Sequence, residues 1–429
     1  MLFKKLSLIL VILILYQTPL YSKSNNFNSE GLSKYFSGIV AFENKDNFLA
    51  LDFFNSSKIL VNKHDPYLKR YVYSLVLENK VSQAINIIKN NKGKDNSNFF
   101  DAYLLLILDS LKKNDLKKAQ DYLQASTDFV RDDRFATAVL ESLRQYVHVF
   151  KEGKMSNDKK NFGKLSIISE TFQRCFLKDK KTDAYFLNLI NDTQSDYSRY
   201  LFFYLSYLIE NNKIKEAKSL TSNIDYINAT LLLSQAKSWI EDDDIDKFKD
   251  FFSCKNYNDI ISEFLFLISN LYSSQDNFEK SNFYLNVSNF LNQKFLFNLS
   301  LTVENQLLNG EYKEARKTLK NFKKSDDFYF WFRVKKEAQI IAKQKNKEES
   351  LNYLNSQFNK ISQPNKKFLY DMGNFYKNAK KYNQAIEYYS KVIEKLDKNS
   401  EIKSNLLYRR GSSFERLRIY DKADKDLKL

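Results

Sequence analysis

A small residue recurs at a nearly constant interval along this chain. It typically follows a polar turn and an acidic or basic pair, and an aromatic or aliphatic residue comes four places later. It is Ala50 in NFLALDFF, Ala84 in KVSQAINII, Ala119 in DLKKAQDYL and Ala217 in KIKEAKSL. Further on it is Ser281, Ala315, Ser350, Ala385 and Ala423. Successive members lie 34 (50 to 84), 35 (84 to 119), 34 (281 to 315), 35 (315 to 350), 35 (350 to 385) and 38 (385 to 423) residues apart. A period of that length marks stacked supersecondary units. Apolar spacings of three and four predict two amphipathic helices of about 12–15 residues in each unit. One such pair cannot bury its apolar face alone, so the units stack.

Composition supports helices. At 429 residues the chain exceeds one compact core, and only 8 Gly and 3 Pro are present. Sandwiches, barrels and doubly wound α/β folds need many more turn residues. With 43% apolar residues, 36 Phe and 28 Tyr, the chain is too apolar for disorder. A mean hydropathy of −0.52 argues against a polytopic membrane protein. The net charge of +16 comes mostly from Lys, because only 12 of the 68 basic residues are Arg. Nucleic-acid sites favour Arg, so no nucleic-acid partner is expected. The lysines read either as solvated faces coloured by an AT-rich genome or as a basic surface for acidic lipids, glycans or peptides.

The segment Phe368 to Asp397 carries Leu369, Met372, Gly373 and Tyr376 in its first helix, then Ala385 and Tyr389 in its second. That spacing resembles the tetratricopeptide repeat, although the proline that usually closes the repeat is missing. The last unit keeps Leu407, Gly411, Phe414 and Ala423, with Arg410 where Leu is usual. Near the N-terminus Gly38, Ala50 and Phe54 fit, while Lys34 and Ser37 do not. The chain as a whole resembles exported tetratricopeptide-repeat proteins of bacteria with AT-rich genomes. The expected fold is an all-α superhelix of helix pairs (an α-solenoid). Its packing positions are Gly38, Ala50, Phe54, Ala84, Ala119, Ala217, Ala315, Gly373, Tyr376, Ala385, Tyr389, Gly411 and Ala423. Units of such an array are expected to touch only their neighbours.

Residues 1–22 read as a secretory signal peptide. Lys4 and Lys5 precede an apolar Leu6–Tyr16 stretch, then Pro19 and Ser22. This predicts export, periplasmic in a Gram-negative cell, with a mature start near Lys23. A retained N-terminus would instead anchor the protein at the inner membrane. Residues 28–133 read as N-terminal repeats and residues 199–429 as C-terminal repeats, an array expected to end without a polar cap. Between them, residues 134–198 lose the register and read as degenerate helical repeats. FATAVLESLRQYVHVFKEG is a helix closed by Gly153, and the polar run 153–163 is a candidate hinge. Cys175 and Cys254 lie 79 residues apart in different units, so either a bridge or two buried thiols is open.

No enzyme is expected. His64 and His148 have no metal-ligand neighbours in a recognisable spacing, and His148 falls on an apolar helix face. GKMS and GKLS lack the upstream glycine of a phosphate loop, and no Ser sits in a nucleophile elbow. No cofactor or metal is implied. The surface that can bind is the concave one lined by first helices. The repeat register places Lys335, Gln339, Lys343, Tyr370, Asn374, Lys377, Tyr408, Ser412 and Arg416 there, a basic lining with aromatic steps and no acid. The resemblance implies a protein-binding scaffold that holds an extended peptide or its terminal carboxylate, and the basic lining suits an acidic one. The competing reading is the superhelical support of a cell-wall enzyme such as a soluble lytic transglycosylase, or a membrane-held assembly factor.

Overall fold

The computed structural model describes residues 29–157, 160–192, 199–324, 326–396 and 402–428. The signal-type segment and its cleavage site lie outside the described residues. Among those described, the chain is all-α with no strand, and 22 of its 23 α-helices form eleven pairs joined by short turns. The first pair is Ser29–Glu43 with Asn47–Ser56, and the last is Ile402–Arg416 with Tyr420–Leu427. The odd helix is Arg134–Glu152. It is the physical cause of the lost register. The pairing resumes with Lys164–Leu177 and Thr182–Ile190, offset from the 34-residue period.

The turns explain how so helical a chain manages with 8 glycines. Ten of the eleven intra-pair turns carry one residue in the left-handed region, with φ between 53° and 77°. It is Lys45, Asn79, Asn114, Lys178, Asn212, Asp243, Asp276, Gly310, Lys380 or Arg418. The next residue's N–H reaches back to a carbonyl five residues earlier, as in Asp46 to Ala41 (3.0 Å) and Lys381 to Tyr376 (2.9 Å). This is the Schellman closure of a helix. In several pairs the residue after the left-handed one also caps the second helix, as when Asp115 Oδ1 accepts from Lys118 N at 3.0 Å.

The recurring small residue sits where two helices of a pair cross. Ser350 Oγ donates to Ala338 O at 2.7 Å, and Ser269 and Ser281 are linked through their hydroxyls at 2.8 Å. Both contacts span 12 residues. The same step connects Ala385 to Gly373, Ala50 to Gly38 and Ala423 to Gly411. Ala50, Ala84, Ala119, Ala217, Ala315, Ala385 and Ala423 are all buried. A Cβ on Gly373 would lie 2.6 Å from the Tyr389 ring, one on Gly38 would lie 2.6 Å from the Phe54 ring, and one on Gly411 would lie 2.9 Å from Leu427. Glycine is therefore needed there for space, at ordinary helical backbone angles. Tyr376, by contrast, points to the preceding pair and donates its hydroxyl to Asn355 Oδ1 at 2.7 Å.

The described residues divide into two compact units, those up to Ser74 and those from Leu75 onward. In the smaller one, Tyr35 packs against Phe54, His64 and Tyr67, and the side chains of Asn47 and Ser74 bond each other at 2.8 Å. In the larger one, the expectation of neighbour-only contact fails. The pair Tyr257–Ser273 and Phe278–Leu291 touches Val81–Asn90 and Phe100–Lys112, far earlier in the chain. Asn286 donates to Val76 O and Leu77 O at 2.9 and 3.0 Å, and Lys280 pairs with the buried Asp101 at 3.0 Å. A second junction is Arg199, which forks onto the buried Glu263 at 2.8 and 2.6 Å and stacks 3.7 Å from the Phe266 ring.

Cys175 and Cys254 form a disulfide with a Cα–Cα distance of 5.6 Å, which closes the alternative left open by their spacing. The bridge forms because the helix Lys164–Leu177 lies directly against Tyr257–Ser273. Of the candidate hinge run 153–163, residues 158 and 159 lie outside the described residues. Lys160 is drawn back onto Glu141 at 3.3 Å. Gly153 ends its helix in the left-handed region (φ 64°).

Candidate functional site

Three first helices carry the nine residues selected from the repeat register. They are Asp327–Gln344, Lys366–Asn378 and Ile402–Arg416. The first two start at polar caps, where Asp326 accepts from Tyr329 N (3.0 Å) and Asn365 from Phe368 N (3.0 Å). Behind them a core of Trp331, Val334, Leu354, Met372, Ala385 and Tyr389 fixes the rotation of each helix, and so decides which side chains face outward.

The structure assembles the nine residues in two places and leaves others apart. Lys335, Gln339 and Asn374 line one cavity of about 480 Å³. Tyr370, Asn374, Lys377 and Arg416 gather around a residue the register missed, Arg409. Its guanidinium donates to Asn374 Oδ1 at 3.2 Å and lies 5.4 Å over the Tyr370 ring. Tyr389 donates its hydroxyl to the same Asn374 oxygen at 2.8 Å. Burial first, then repulsion from Arg409 and Arg416, holds the Lys377 ammonium below the ordinary lysine range. Among the described residues none of Lys377, Arg409 and Arg416 has an ion pair with a carboxylate. Tyr408 is 64% exposed, Ser412 is half-buried, and Lys343 is exposed beyond the cavity.

The expectation that this lining holds no acid is wrong. Asp371 accepts from Lys335 Nζ at 2.7 Å and from Trp331 Nε1 at 2.8 Å through the same oxygen, Oδ2. Lys336 pairs with Glu304. Asp371 sits one residue past the register position taken as Tyr370, and it lies 36 residues from Lys335. Asn374 and Arg409 are separated by 35. Complementary polar residues one repeat apart were thus the available signal. Lys367 was missed as well. It donates to Ile227 O and Ala229 O at 3.0 and 3.1 Å, and burial lowers its pKa against the opposing pull of Asp371.

His148, expected within an apolar face, is half-buried and borders a shallow cavity with Glu141, Arg144 and Lys151. Among the described residues no group of three metal-ligating side chains forms, and no helix is long and apolar enough to cross a membrane.

No family model and no curated protein matches the chain. Solved structures do match along most of its length. One is the yeast Tom70 crystal structure, with 12% identity over 93% of this chain and 91% of that one, at a TM-score of 0.33. A second is Cut9–Hcn1 of the APC/C, with 13% identity over 93% and 80% at a TM-score of 0.30. The tetratricopeptide domain of P58(IPK) matches with 13% identity over 91% and 99%, at a TM-score of 0.27. At these scores the fold rests on the chain's own helix pairs.

Proposed function

We propose that the chain is a non-enzymatic scaffold, exported across a bacterial inner membrane, that captures a protein partner on the first-helix face of its C-terminal pairs. The observation carrying this reading is the cluster of Lys377, Arg409 and Arg416 beside Tyr370 and Asn374. Three cations gathered with no carboxylate ion pair among the described residues repel one another, and an anionic segment relieves that repulsion. Such a segment gains charge-assisted hydrogen bonds, and the Tyr370 ring supplies an apolar step. Exposed pairs contribute only about 0–1 kcal/mol each, so several act together. An acidic, extended peptide fits this arrangement.

The signal-type residues 1–22 support export, and the Cys175–Cys254 bridge is of a kind that persists in oxidising compartments. Mass spectrometry of the exported protein distinguishes cleavage before Lys23 from a retained anchor. For the partner site, crosslinking pull-downs with the parent and with Lys377→Glu/Arg416→Glu are the test. Loss of the parent's partners, with an unchanged helical spectrum, is the expected result. Recovery of the same partners would reduce the basic face to solvated surface.

A further inference from the structure

We infer that the 480 Å³ cavity beside the basic cluster is an anchor pocket for an aromatic side chain of the captured peptide, flanked by acidic residues. This rests on the proposed scaffold reading and adds what the partner must contain. The cavity is walled by the first helices of three consecutive pairs, through Ser300 and Glu304, then Trp331 and Lys335, then Phe368 and Asp371. Its size falls within the range of specific ligand sites, about 300–1,000 Å³. A dry cavity of about 150 Å³ already holds a benzene ring. The volume here accommodates a ring together with its adjoining backbone.

The chemistry of the walls selects the occupant. Trp331 and Phe368 are almost fully buried at the wall, and Phe297, Phe332 and Phe375 are half-buried beside them. Edge-to-face and offset contacts with an entering ring are therefore available on several sides. The side-chain amides of Gln339 and Asn378 make no hydrogen bond among the described residues, and each offers a donor and an acceptor to a peptide backbone. Asn374 has committed its oxygen to Tyr389 and Arg409, which leaves its NH2 group.

Charge then sets the flanking residues. Lys335, Lys336 and Lys367 face only two carboxylates, Glu304 and Asp371, in the lining. Lys367 uses two of its three ammonium hydrogens on backbone carbonyls and has no ion pair with a carboxylate among the described residues. The surplus positive charge continues through Asn374, which borders both places, to Lys377, Arg409 and Arg416. A peptide with acidic residues on either side of a buried ring meets both features at once.

The test uses the full chain carrying Trp239→Phe, which leaves Trp331, in the pocket wall, as the one tryptophan of two that reports. The probes are acetyl-Glu-Asp-Phe-Asp-Glu amide and its Phe→Ala counterpart, titrated by tryptophan emission and by calorimetry. The Phe peptide is expected to shift Trp331 emission and to bind about tenfold or more tighter than the Ala peptide, as burial of a ring implies. Ser300→Phe, which fills the cavity, should erase that preference and retain the Ala-peptide affinity. Gln339→Phe is the second filling variant if Ser300→Phe fails to fold. Lys377→Glu/Arg416→Glu should weaken both peptides equally and leave the Phe-to-Ala ratio intact. Equal binding of the two peptides, or no binding of either, overturns the pocket. A preserved Phe preference with affinity indifferent to Lys377→Glu/Arg416→Glu overturns the basic face and leaves the pocket standing.

Discussion

Replacing Gly373 by Ala isolates the close crossing on which each helix pair depends. In an open helix this change is stabilising by about 0.8–1 kcal/mol, because Ala has the better helix propensity. Here the new methyl would lie 2.6 and 2.7 Å from Tyr389 Cε1 and Cδ1. Tyr389 is fully buried, and its hydroxyl is held by Asn374 at 2.8 Å, so the ring has nowhere to retreat. Overpacking of this kind costs about 1–3 kcal/mol, which outweighs the propensity gain. The expected net effect is a destabilisation of up to about 2 kcal/mol. Urea unfolding followed by Trp331, which belongs to the same core cluster, measures it. In a Tyr389→Leu background the clash is removed, and Gly373→Ala should turn neutral or stabilising. A Gly373→Ala protein more stable than the parent, or an unaltered effect in the Tyr389→Leu background, would refute the crossing geometry.

Ala385→Phe should also destabilise the C-terminal pairs, by about 1–3 kcal/mol, since Ala385 is fully buried at the position where Ser350 meets Ala338 in the preceding pair. An unchanged melting temperature would count against that register. Removing the bridge with Cys175→Ser/Cys254→Ser should lower stability by about 2–4 kcal/mol, read as a lower denaturation midpoint that matches the reduced parent. Asp259 gives a pH signature. Burial pushes its carboxyl up to about 7 against the opposing N–H of Ser253. The folded state therefore holds a proton that the unfolded chain releases near pH 4. Its stabilisation is complete below about pH 4 and is lost as pH rises through about 7. Asp259→Asn should flatten that slope in denaturation midpoints taken from pH 4 to 8, and an unchanged slope would remove Asp259 as its source.

Much of the fold was legible because a crossing of two helices tolerates only small side chains. That constraint leaves Gly, Ala or Ser at a fixed period whatever the surface does. The turns were legible only in part. Asn79, Asn114 and Asn212 take the left-handed position that glycine usually marks, and Lys45, Lys380 and Arg418 take it with no such signature. The unpaired helix Arg134–Glu152 shows the same amphipathic spacing as any paired one, so its solitary state could not be read from periodicity. The long-range closure was hidden for a different reason. Asn286 lies among buried neighbours of its own helix, and nothing local says that its amide meets the end of Asp65–Leu77. The disulfide follows from that same departure from neighbour-only stacking. In the candidate site Lys335, Lys377 and Arg416 were named from the register, while Lys336 and Lys367 were not. Asp371 and Arg409 were missed because a one-residue error in a helical register rotates a side chain by about 100°.

The proposed partner is held by the first helices of the C-terminal pairs. Hydrogen–deuterium exchange of the full chain, with and without saturating acetyl-Glu-Asp-Phe-Asp-Glu amide, tests it directly. Slower exchange confined to Lys366–Asn378 and Ile402–Arg416, with the adjoining part of Asp327–Gln344, is the predicted map. Protection that falls instead on Val81–Asn90 and Phe100–Lys112, or that appears nowhere along the chain, would contradict it.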